Sequence, residues 1–394
     1  MSQYRKFRFS QKGTSMHASL FVRSRVLAST VPTIVVLLLW GLPVAAGAQG
    51  GGSYRQTNLV SDLPNIAQFR DKNLVNPWGL SHSPNGPWQV SDNGTGVSTQ
   101  YTSVGNRVPP RVTIPTPAGV KIAAPTGNVF NSTIDFVISQ NGKSFASEFI
   151  FATEDGTISG FNPNVDSTHA ILTVDRSAVS QGEFVGAVYK GLAVATSSSG
   201  DNFLFATNFR FGTVEKFDAE FNLVKSFTDP MLASDCPIQG PPAQCFAPFG
   251  IQTINDQLYV TFALQDAAHH DDVRGAGNGF VDVFDTDGAL IRRFAAGGTL
   301  NSPWGLALAP ANFGTFSNDV LVGNFGDGRI NAFDPVSGVF RDQLRDGNGN
   351  AITINGLWGL AFGNGGLAGS TNTLFFAAGL NDEADGLFGS LEPD

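Results

Sequence analysis

A short phrase in which glycine is followed by an aliphatic residue, and in most copies preceded by an aromatic one, recurs along this 394-residue chain. Its copies are Pro77-Trp78-Gly79-Leu80, Pro248-Phe249-Gly250-Ile251, Pro303-Trp304-Gly305-Leu306, Leu357-Trp358-Gly359-Leu360 and the weaker Tyr189-Lys190-Gly191-Leu192. Successive glycines are 112, 59, 55 and 54 residues apart, and 112 is about two periods. The spacing therefore predicts about six equivalent units, as in architectures that use one repeated unit many times.

Each unit reads as several short strands separated by turns rich in glycine, asparagine and aspartate. One strand is predicted in six copies, at residues 88–92, 150–154, 204–208, 258–262, 320–324 and 374–378. Strands rich in valine, isoleucine and phenylalanine, with no amphipathic helix between them, predict antiparallel sheets. About four strands in each of six units predict an all-β fold, a six-bladed β-propeller. A β-sandwich is the alternative, and the regular repeat argues against it.

The two ends of the chain are expected to meet in one blade. The last unit lacks a fourth strand after Gly389, whereas residues 58–62 have the character of such a strand, so the N-terminal strand would complete the last blade and leave no open edge. The glycine of the phrase either avoids a side chain where innermost strands crowd the axis or supplies a turn conformation. The aromatic residue before it is expected to fill the wedge between blades.

The N-terminal residues have the pattern of a secretory signal. Residues 1–48 contain six basic residues and no acidic residue, an apolar run from Val31 to Trp40, and Ala46-Gly47-Ala48 at the cleavage position. The predicted domains are a signal peptide at 1–48, a flexible N-terminus at 49–57 and a single propeller at 58–394. We expect a secreted or periplasmic protein with no membrane span after cleavage; the alternative is an uncleaved membrane anchor.

The net charge argues against nucleic acid as a partner, and the two cysteines predict a disulfide. The formal net charge is −9, and without the six basic residues of the leader it becomes −15, so the domain repels nucleic-acid backbones and no basic cluster in the sequence offsets this. The two cysteines, Cys236 and Cys245, are close enough in sequence to predict a local disulfide in a surface loop of an exported protein. A metal or redox role is less favoured, because no C-x-x-C motif or nearby histidine accompanies them.

Two groups of residues could bind a metal ion. The first group, called here the His-Asp loop, consists of Asp266, His269, His270, Asp271 and Asp272. Carboxylates beside imidazoles can hold a divalent ion, and either histidine could transfer a proton near neutral pH. The sequence favours a simpler alternative, an ordered loop in which the aspartates cap turn amides.

The second group consists of the residues at the last position of the strand that is predicted in six copies. Four of these six residues carry oxygen donors, and these are Asp92, Glu154, Asn208 and Asn324. If the strand ends face the tunnel at one rim, they form a ring of oxygen ligands that calcium would accept. Asparagine and aspartate at strand ends also form turns, which is the alternative. No cofactor other than calcium is suggested, and no catalytic residue can be assigned.

Several phrases resemble those of a known family. They are Asn73-Leu74-Val75-Asn76-Pro77-Trp78-Gly79-Leu80, Ala152-Thr153-Glu154-Asp155-Gly156-Thr157-Ile158 and Gly275-Ala276-Gly277-Asn278-Gly279-Phe280-Val281-Asp282-Val283-Phe284-Asp285. They resemble an uncharacterised family of exported bacterial proteins, some of which end in a Pro-Glu-Pro sorting tail, and the resemblance extends from about Asn58 to Leu391. It implies a propeller and export but no activity. The layout is more distantly similar to NHL-repeat propellers and to gluconolactonase-like, calcium-dependent hydrolases, an analogy of fold alone.

Two functions remain open from the sequence. The first is an exported propeller that binds a protein, a glycan or a surface polymer through the loops of one face. The second is a calcium-dependent lactonase-like or esterase-like hydrolase at the tunnel rim. The sequence has no G-x-S-x-G, H-E-x-x-H, P-loop or dinucleotide motif, so covalent-hydrolase, zinc-peptidase and nucleotide-binding functions are poorly supported.

Overall fold

The computed structural model describes residues 52–232 and 245–394. Over these residues the chain forms six sheets of four or five strands, the blades of a β-propeller, together with two small two-stranded hairpins, which confirms the predicted fold. Strands within the blades pair antiparallel, except for one short parallel pair in the five-stranded sheet. The predicted signal peptide and Cys236 lie outside the described residues, so the signal peptide and the disulfide between Cys236 and Cys245 stay predictions. Within the part of the chain that is described, no helix has the length and apolar character needed to cross a bilayer.

The strands follow the order of the repeats. The chain begins with β1 (Tyr54–Ser61) and β2 (Phe69–Arg70). Blade 1 contains β3 (Pro77–His82), β4 (Trp88–Asp92), β5 (Val97–Tyr101) and β6 (Arg107–Thr113). Blade 2 starts with β7 (Pro125–Phe130) and, after a hairpin of β8 (Val137–Gln140) and β9 (Lys143–Ala146), continues with β10 (Phe149–Thr153), β11 (Thr157–Phe161) and β12 (Ile171–Asp175). A hairpin of β13 (Ser180–Gln181) and β14 (Phe184–Val185) leads to blade 3, with β15 (Tyr189–Thr196), β16 (Asn202–Asn208), β17 (Thr213–Phe217) and β18 (Leu223–Phe227).

The second half of the propeller repeats this layout. Blade 4 contains β19 (Phe246–Ile254), β20 (Gln257–Leu264), β21 (Phe280–Phe284) and β22 (Leu290–Ala296). Blade 5 contains β23 (Pro303–Leu308), β24 (Val320–Asn324), β25 (Ile330–Phe333) and β26 (Phe340–Gln343). Blade 6 contains β27 (Leu357–Phe362), β28 (Leu374–Gly379) and β29 (Asp385–Pro393). Short helical turns occur at Asn93–Thr95, Gly314–Phe316 and Leu380–Glu383.

The N-terminal strand completes blade 6, as predicted. β1 pairs antiparallel with β29, with Tyr54 opposite Pro393 and Ser61 opposite Leu387. Residues 54–57, which were expected to be flexible, belong to this strand. Tyr54 anchors its start, because the side chain is 1% exposed and donates a 2.8 Å hydrogen bond to the carbonyl of Phe313.

The glycines of the repeated phrase lie where neighbouring innermost strands approach most closely. A Cβ added to any of these six glycines would come within 3.0 Å of a backbone atom of the neighbouring innermost strand. The pairs and distances are Gly79 to Thr126 O, 2.6 Å; Gly127 to Leu192 N, 2.6 Å; Gly191 to Phe249 O, 3.0 Å; Gly250 to Trp304 O, 2.0 Å; Gly305 to Trp358 O, 2.5 Å; and Gly359 to Trp78 O, 2.5 Å. Each contact is with the following blade, and the last returns to the first. None of the six has a positive φ, so close approach, not turn geometry, requires glycine. Pro125-Thr126-Gly127-Asn128 is the copy missing from the 112-residue gap.

The aromatic residues of the phrase meet one another at the centre instead of filling the wedges between blades. The rings of Trp78 and Trp358 stack with centroids 3.4 Å apart, and the Trp304 ring is edge-on to both at 5.9 and 5.8 Å. The Phe249 ring lies 5.7 Å from that of Trp358. These four buried side chains form what we call the axial plug, and they pack against one another in the core.

Candidate functional site

Lys190 occupies the position that four other blades fill with an aromatic residue. It precedes Gly191 at the start of β15, and the residue is 1% exposed. Its Nζ donates a hydrogen bond to the carboxylate of Glu154 and lies 3.4 Å from Oδ1 of Asp271. Nζ is also 5.0 Å from the ring centroid of Trp78, so the ammonium sits against the axial plug.

The lysine is charged in this environment. Burial alone would lower the pKa of Lys190, but the carboxylates of Glu154 and Asp271 outweigh burial, and the net pKa is raised. A buried ammonium is costly unless it is paired, and here two carboxylates pair with it. Lys190 therefore places a fixed positive charge in contact with both carboxylates.

Glu154 follows β10 in blade 2 and connects this lysine to blade 1. One carboxylate oxygen accepts from Lys190, and Oε2 accepts a 2.9 Å hydrogen bond from Nδ2 of Asn93. The side chain is 14% exposed. With one oxygen on each partner, the carboxylate of Glu154 is held in one orientation at the mouth of the propeller.

The His-Asp loop joins β20 to β21 and comes to the same mouth from blade 4. Oδ1 of Asp266 accepts hydrogen bonds from the backbone N–H of His270 at 2.8 Å and of Asp271 at 3.3 Å, which is the turn-capping role expected of an aspartate. Nδ1 of His270 lies 2.9 Å from Oδ1 of Asp271. This contact, followed by the charge of Lys190, lowers the pKa of Asp271 well below its usual range. Asp271 therefore carries its negative charge at neutral pH, and its side chain is 67% exposed.

Together, Glu154, Lys190, His270 and Asp271 form what we call the axial site. Ligand atoms of Glu154, His270 and Asp271 lie within 4.8 Å of one another. The strand ends of blade 2 and the loop of blade 4 reach one mouth because each follows the second strand of its blade, and antiparallel pairing puts that end beside the start of the innermost strand.

Blades 1, 5 and 6 complete the wall around the axial site. Nδ2 of Asn76 donates a 2.8 Å hydrogen bond to Glu383, and Oδ1 of Asn76 accepts one of 3.1 Å from Nε1 of Trp358. The guanidinium of Arg274 stacks over Phe325 at 4.4 Å. Burial, with the negative charge of Glu154 nearby, raises the pKa of Glu383. The mouth thus has more carboxylates than cations.

Backbone strain accompanies this wall. The three residues 381–383 have positive φ values of 53°, 51° and 69°, a left-handed turn built without glycine. Such conformations cost about 1–3 kcal/mol each and occur where the surrounding structure holds them in place. Here the turn carries Glu383 towards Asn76.

The predicted oxygen ring does not form, because three of its four members turn away from the mouth. Asn208 donates a 2.9 Å hydrogen bond to Glu215, and its Oδ1 accepts from the backbone N–H of Val188. Asn324 donates a 2.7 Å hydrogen bond to the carbonyl of Thr299. Both amides are fully buried and act as turn caps, the alternative that the sequence left open.

Asp92, the third absent member, faces blade 6. It shares a strand face with Trp88 and Val90, which pack against Phe375 and Phe388. The side chain is 0% exposed, and neither carboxylate oxygen has a hydrogen-bond partner among the described residues. Burial, with the negative charge of Asp71 nearby, raises the pKa of Asp92 well above its usual value.

Replacing Asp92 with asparagine should change how stability depends on pH. The folded protein holds a proton on Asp92 at pH values where the unfolded chain has lost it, so this group destabilises the fold increasingly as pH rises above about 4. We expect the free energy of unfolding of Asp92→Asn, relative to that of the parent, to rise by about 1–3 kcal/mol as the pH is raised from about 4 to about 8, measured by urea unfolding. A difference between the two proteins that does not vary with pH would contradict this. Asp256→Asn, an exposed change in the turn before β20, is the control.

The other members of the His-Asp loop lie outside the axial site. The ring of His269 stacks on Phe184 with centroids 4.1 Å apart, in a separate cavity between blades 3 and 4. Asp272 lies behind Asp271, and burial raises its pKa. Of the nine candidate metal ligands named from the sequence, the structure brings together Glu154, His270 and Asp271.

A calcium ion does not fit the axial site well. Calcium prefers six to eight oxygen ligands, whereas one oxygen of Glu154 is bonded to Lys190 and the other to Asn93. The ammonium of Lys190 also supplies the positive charge that a metal ion would bring to these carboxylates.

Lys190 was missed as a functional residue in the sequence, although its signal was present. Tyr189-Lys190-Gly191-Leu192 was identified only as a weak copy of the repeat. Lys190 stands before the glycine of the phrase, where four other copies have tryptophan or phenylalanine, and this substitution of a cation for an aromatic residue is a local departure from the repeat. Asn76, Asn93 and Glu383 gave no such signal, because only the closed ring of blades brings them to one point.

Two viral proteins are similar to this chain over most of its length. One uncharacterised protein of Acanthamoeba polyphaga mimivirus is 33% identical over 337 residues, 85% of this chain and 79% of that protein. A second from the same virus is 32% identical over 345 residues, 87% of this chain and 86% of that protein. No family model matches the sequence. Because these relatives are viral, they do not support the bacterial origin that the resemblance implied.

Solved propeller enzymes are distant structural neighbours. Virginiamycin B lyase from Staphylococcus aureus has 15% sequence identity and a TM-score of 0.47, covering 87% of this chain and 99% of its own. A gluconolactonase from Xanthomonas campestris has 12% identity and a TM-score of 0.49, covering 82% of this chain and 87% of its own. Likeness at this level carries no argument about activity.

Proposed function

The chain belongs to the family of the two uncharacterised mimivirus proteins, and from that premise we propose that it is a binding propeller whose axial site takes a hydroxyl-rich ligand, such as a glycan. The observation that supports this most is the buried Lys190, whose ammonium lies against the axial plug at the position that four other blades fill with an aromatic residue. Replacing a plug aromatic with a buried ammonium gives no packing advantage, and buried ion pairs are weak contributors to stability. A role in holding Glu154 and Asp271 at the mouth accounts for the lysine better.

The chemistry of the mouth supports a neutral, hydroxyl-bearing ligand. Side chains that reach solvent there include Asp271, His270 at 36% exposure and Arg274 at 43%. Carboxylates accept hydrogen bonds from hydroxyl groups, while imidazole and guanidinium groups donate to hydroxyl oxygens. The excess of carboxylates disfavours anionic ligands. The signal pattern of residues 1–48 further leads us to propose that such a ligand is met outside the cell.

Binding to neutral oligosaccharides tests the proposal. Calorimetry with maltohexaose, cellohexaose and chitohexaose is expected to find a ligand, and Asp271→Asn should weaken its binding about tenfold or more, because one charge-assisted hydrogen bond contributes about 1.5–3 kcal/mol. Lys143→Met, on the outer hairpin of blade 2, is the control and should bind as the parent does. No binding at millimolar concentration, or equal affinity of Asp271→Asn, would contradict the proposal.

The calcium-dependent hydrolase remains the second candidate, favoured by the proximity of Glu154, His270 and Asp271. The donor set argues against it for the reason given above, since both oxygens of Glu154 already have protein partners. His270, held by Asp271, is the group that could transfer a proton in a metal-free reaction.

A further inference from the structure

A second cavity lies at the seam where the ring of blades closes. It has a volume of about 380 Å³ and is lined by residues that precede blade 1 and by the hairpin between β5 and β6. We call it the seam pocket, and its lining includes Phe69, Arg70, Asp71, Lys72, Tyr101 and Arg107. It is separate from the axial site, with which it shares no residue.

The seam pocket is locally basic in an acidic chain. Arg70, Lys72 and Arg107 line it together with a single carboxylate, Asp71. Nε of Arg70 donates a 2.8 Å hydrogen bond to the carbonyl of Asp62, which fixes the guanidinium without neutralising it. Neither Arg70 nor Lys72 has a carboxylate within ion-pair distance among the described residues. Arg70 and Lys72 are two residues apart in the sequence, but Arg107 follows β5 and joins them only in the fold, so the sequence showed no basic cluster.

The one carboxylate is already occupied by neutral donors. Asp71 is 8% exposed, and its Oδ1 accepts hydrogen bonds from the N–H of Asn73 at 3.0 Å and from its side chain at 2.7 Å. Oδ2 accepts from the hydroxyl of Tyr101 at 3.1 Å. Nε of Arg107 is 3.6 Å from Oδ2, which is within ion-pair distance but too far for a hydrogen bond. The guanidinium of Arg107, which is 54% exposed, therefore keeps donors for a ligand.

An aromatic ring stands beside these cations. Phe69 is 43% exposed, and one edge of its ring packs against Gly105, where a Cβ would lie 2.9 Å from Cδ2. An exposed ring next to guanidinium groups suits a ligand with both a flat apolar face and an anionic group. Sugar acids have that combination, because a pyranose ring offers a C–H face and the carboxylate pairs with arginine.

We propose that the seam pocket binds an oxyanion group carried on an acidic saccharide, with Arg107 and Lys72 pairing the anion and Phe69 contacting the sugar ring. This site does not depend on the axial site, and it takes the ligand class that the axial mouth repels. The pocket is lined by residues 69–73, which begin in β2, and by residues 101–107 of blade 1, so a bound ligand would contact both segments.

The test compares oligogalacturonate with inorganic sulfate at low ionic strength. Oligogalacturonate should bind in calorimetry and raise the melting temperature of the full chain, and added salt should weaken both effects. The double variant Lys72→Gln/Arg107→Gln should bind about tenfold or more weakly, since it removes two ion pairs. Arg329→Gln, a change of an exposed arginine in blade 5, should leave binding unchanged.

The outcomes separate the parts of the proposal. If sulfate and oligogalacturonate bind with equal affinity when compared per negative charge, the saccharide assignment would be overturned. Absence of binding by both, or binding that the double variant retains, would overturn the site. Phe69→Ala is a further check, because it should weaken oligogalacturonate binding and leave sulfate binding unchanged.

Discussion

Gly250→Ala is expected to destabilise the propeller by about 3 kcal/mol or more, or to prevent folding. The added Cβ would lie 2.0 Å from the carbonyl oxygen of Trp304, an atom of the next innermost strand that cannot rotate away. Blades 4 and 5 would have to separate, and in a closed ring that displacement passes to every other seam. The free energy of unfolding in urea measures the effect.

Gly347→Ala is the matched control. The glycine lies in the loop after β26, and its nearest neighbours would be 3.9 and 4.0 Å from the new Cβ. Its φ is not positive, so alanine is not strained there. We expect a change within about 0.5 kcal/mol. Equal losses for the two variants would show that the ring of glycine contacts is not what holds the blades together.

Glu154→Ala is expected to lower the free energy of unfolding by about 3 kcal/mol, whereas Lys190→Met should change it by less than about 1 kcal/mol. The first change leaves a buried ammonium with only the longer contact to Asp271. The second removes the charge and places an apolar side chain against Trp78 and Phe209, the aromatic neighbours of Nζ. Urea unfolding of both variants gives the comparison.

The double variant Glu154→Ala/Lys190→Met provides the check on this asymmetry. If the loss in Glu154→Ala comes from an unpaired ammonium, then removing the lysine as well should recover most of it. Additive losses would mean that the two side chains do not act as a pair. Folded Lys190→Met protein that binds no oligosaccharide would also separate the binding role of the lysine from any structural one.

The fold could be predicted because its signals are local and repeated. The phrase around Trp78 recurs at the spacing of the blades, and the repeated second strand was placed within a few residues in all six copies, as with β4 and β24, whose bounds are those predicted. Closure by the N-terminal strand followed from one missing strand after Gly389. Its early start at Tyr54 did not follow, because the partner carbonyl of Phe313 is 259 residues away in the chain.

The axial site could be predicted only in part, because side-chain direction at a strand end depends on the turn that follows. Glu154, Asn208 and Asn324 hold the same position in three blades. The short amides bond within the turns that follow them, to Phe211 and Asp327, while the longer glutamate reaches across to Lys190. The His-Asp loop was identified from its composition, and its side chains divide between the axial site and the cavity beside Phe184. Which histidine faces the mouth is a property of the loop conformation, not of residue type.

The central claim is that the protein's own lysine, not a metal ion, is the cation between Glu154 and Asp271. The nitrogen chemical shift of Nζ of Lys190, assigned with Lys190→Met and followed from about pH 6 to about pH 10 with and without millimolar calcium, tests it directly. Because the pKa of Lys190 is raised, we predict an ammonium signal throughout that range and no change on adding calcium. A neutral amine within the range, or a calcium-induced shift that Glu154→Gln abolishes, would contradict the account and point to a metal site.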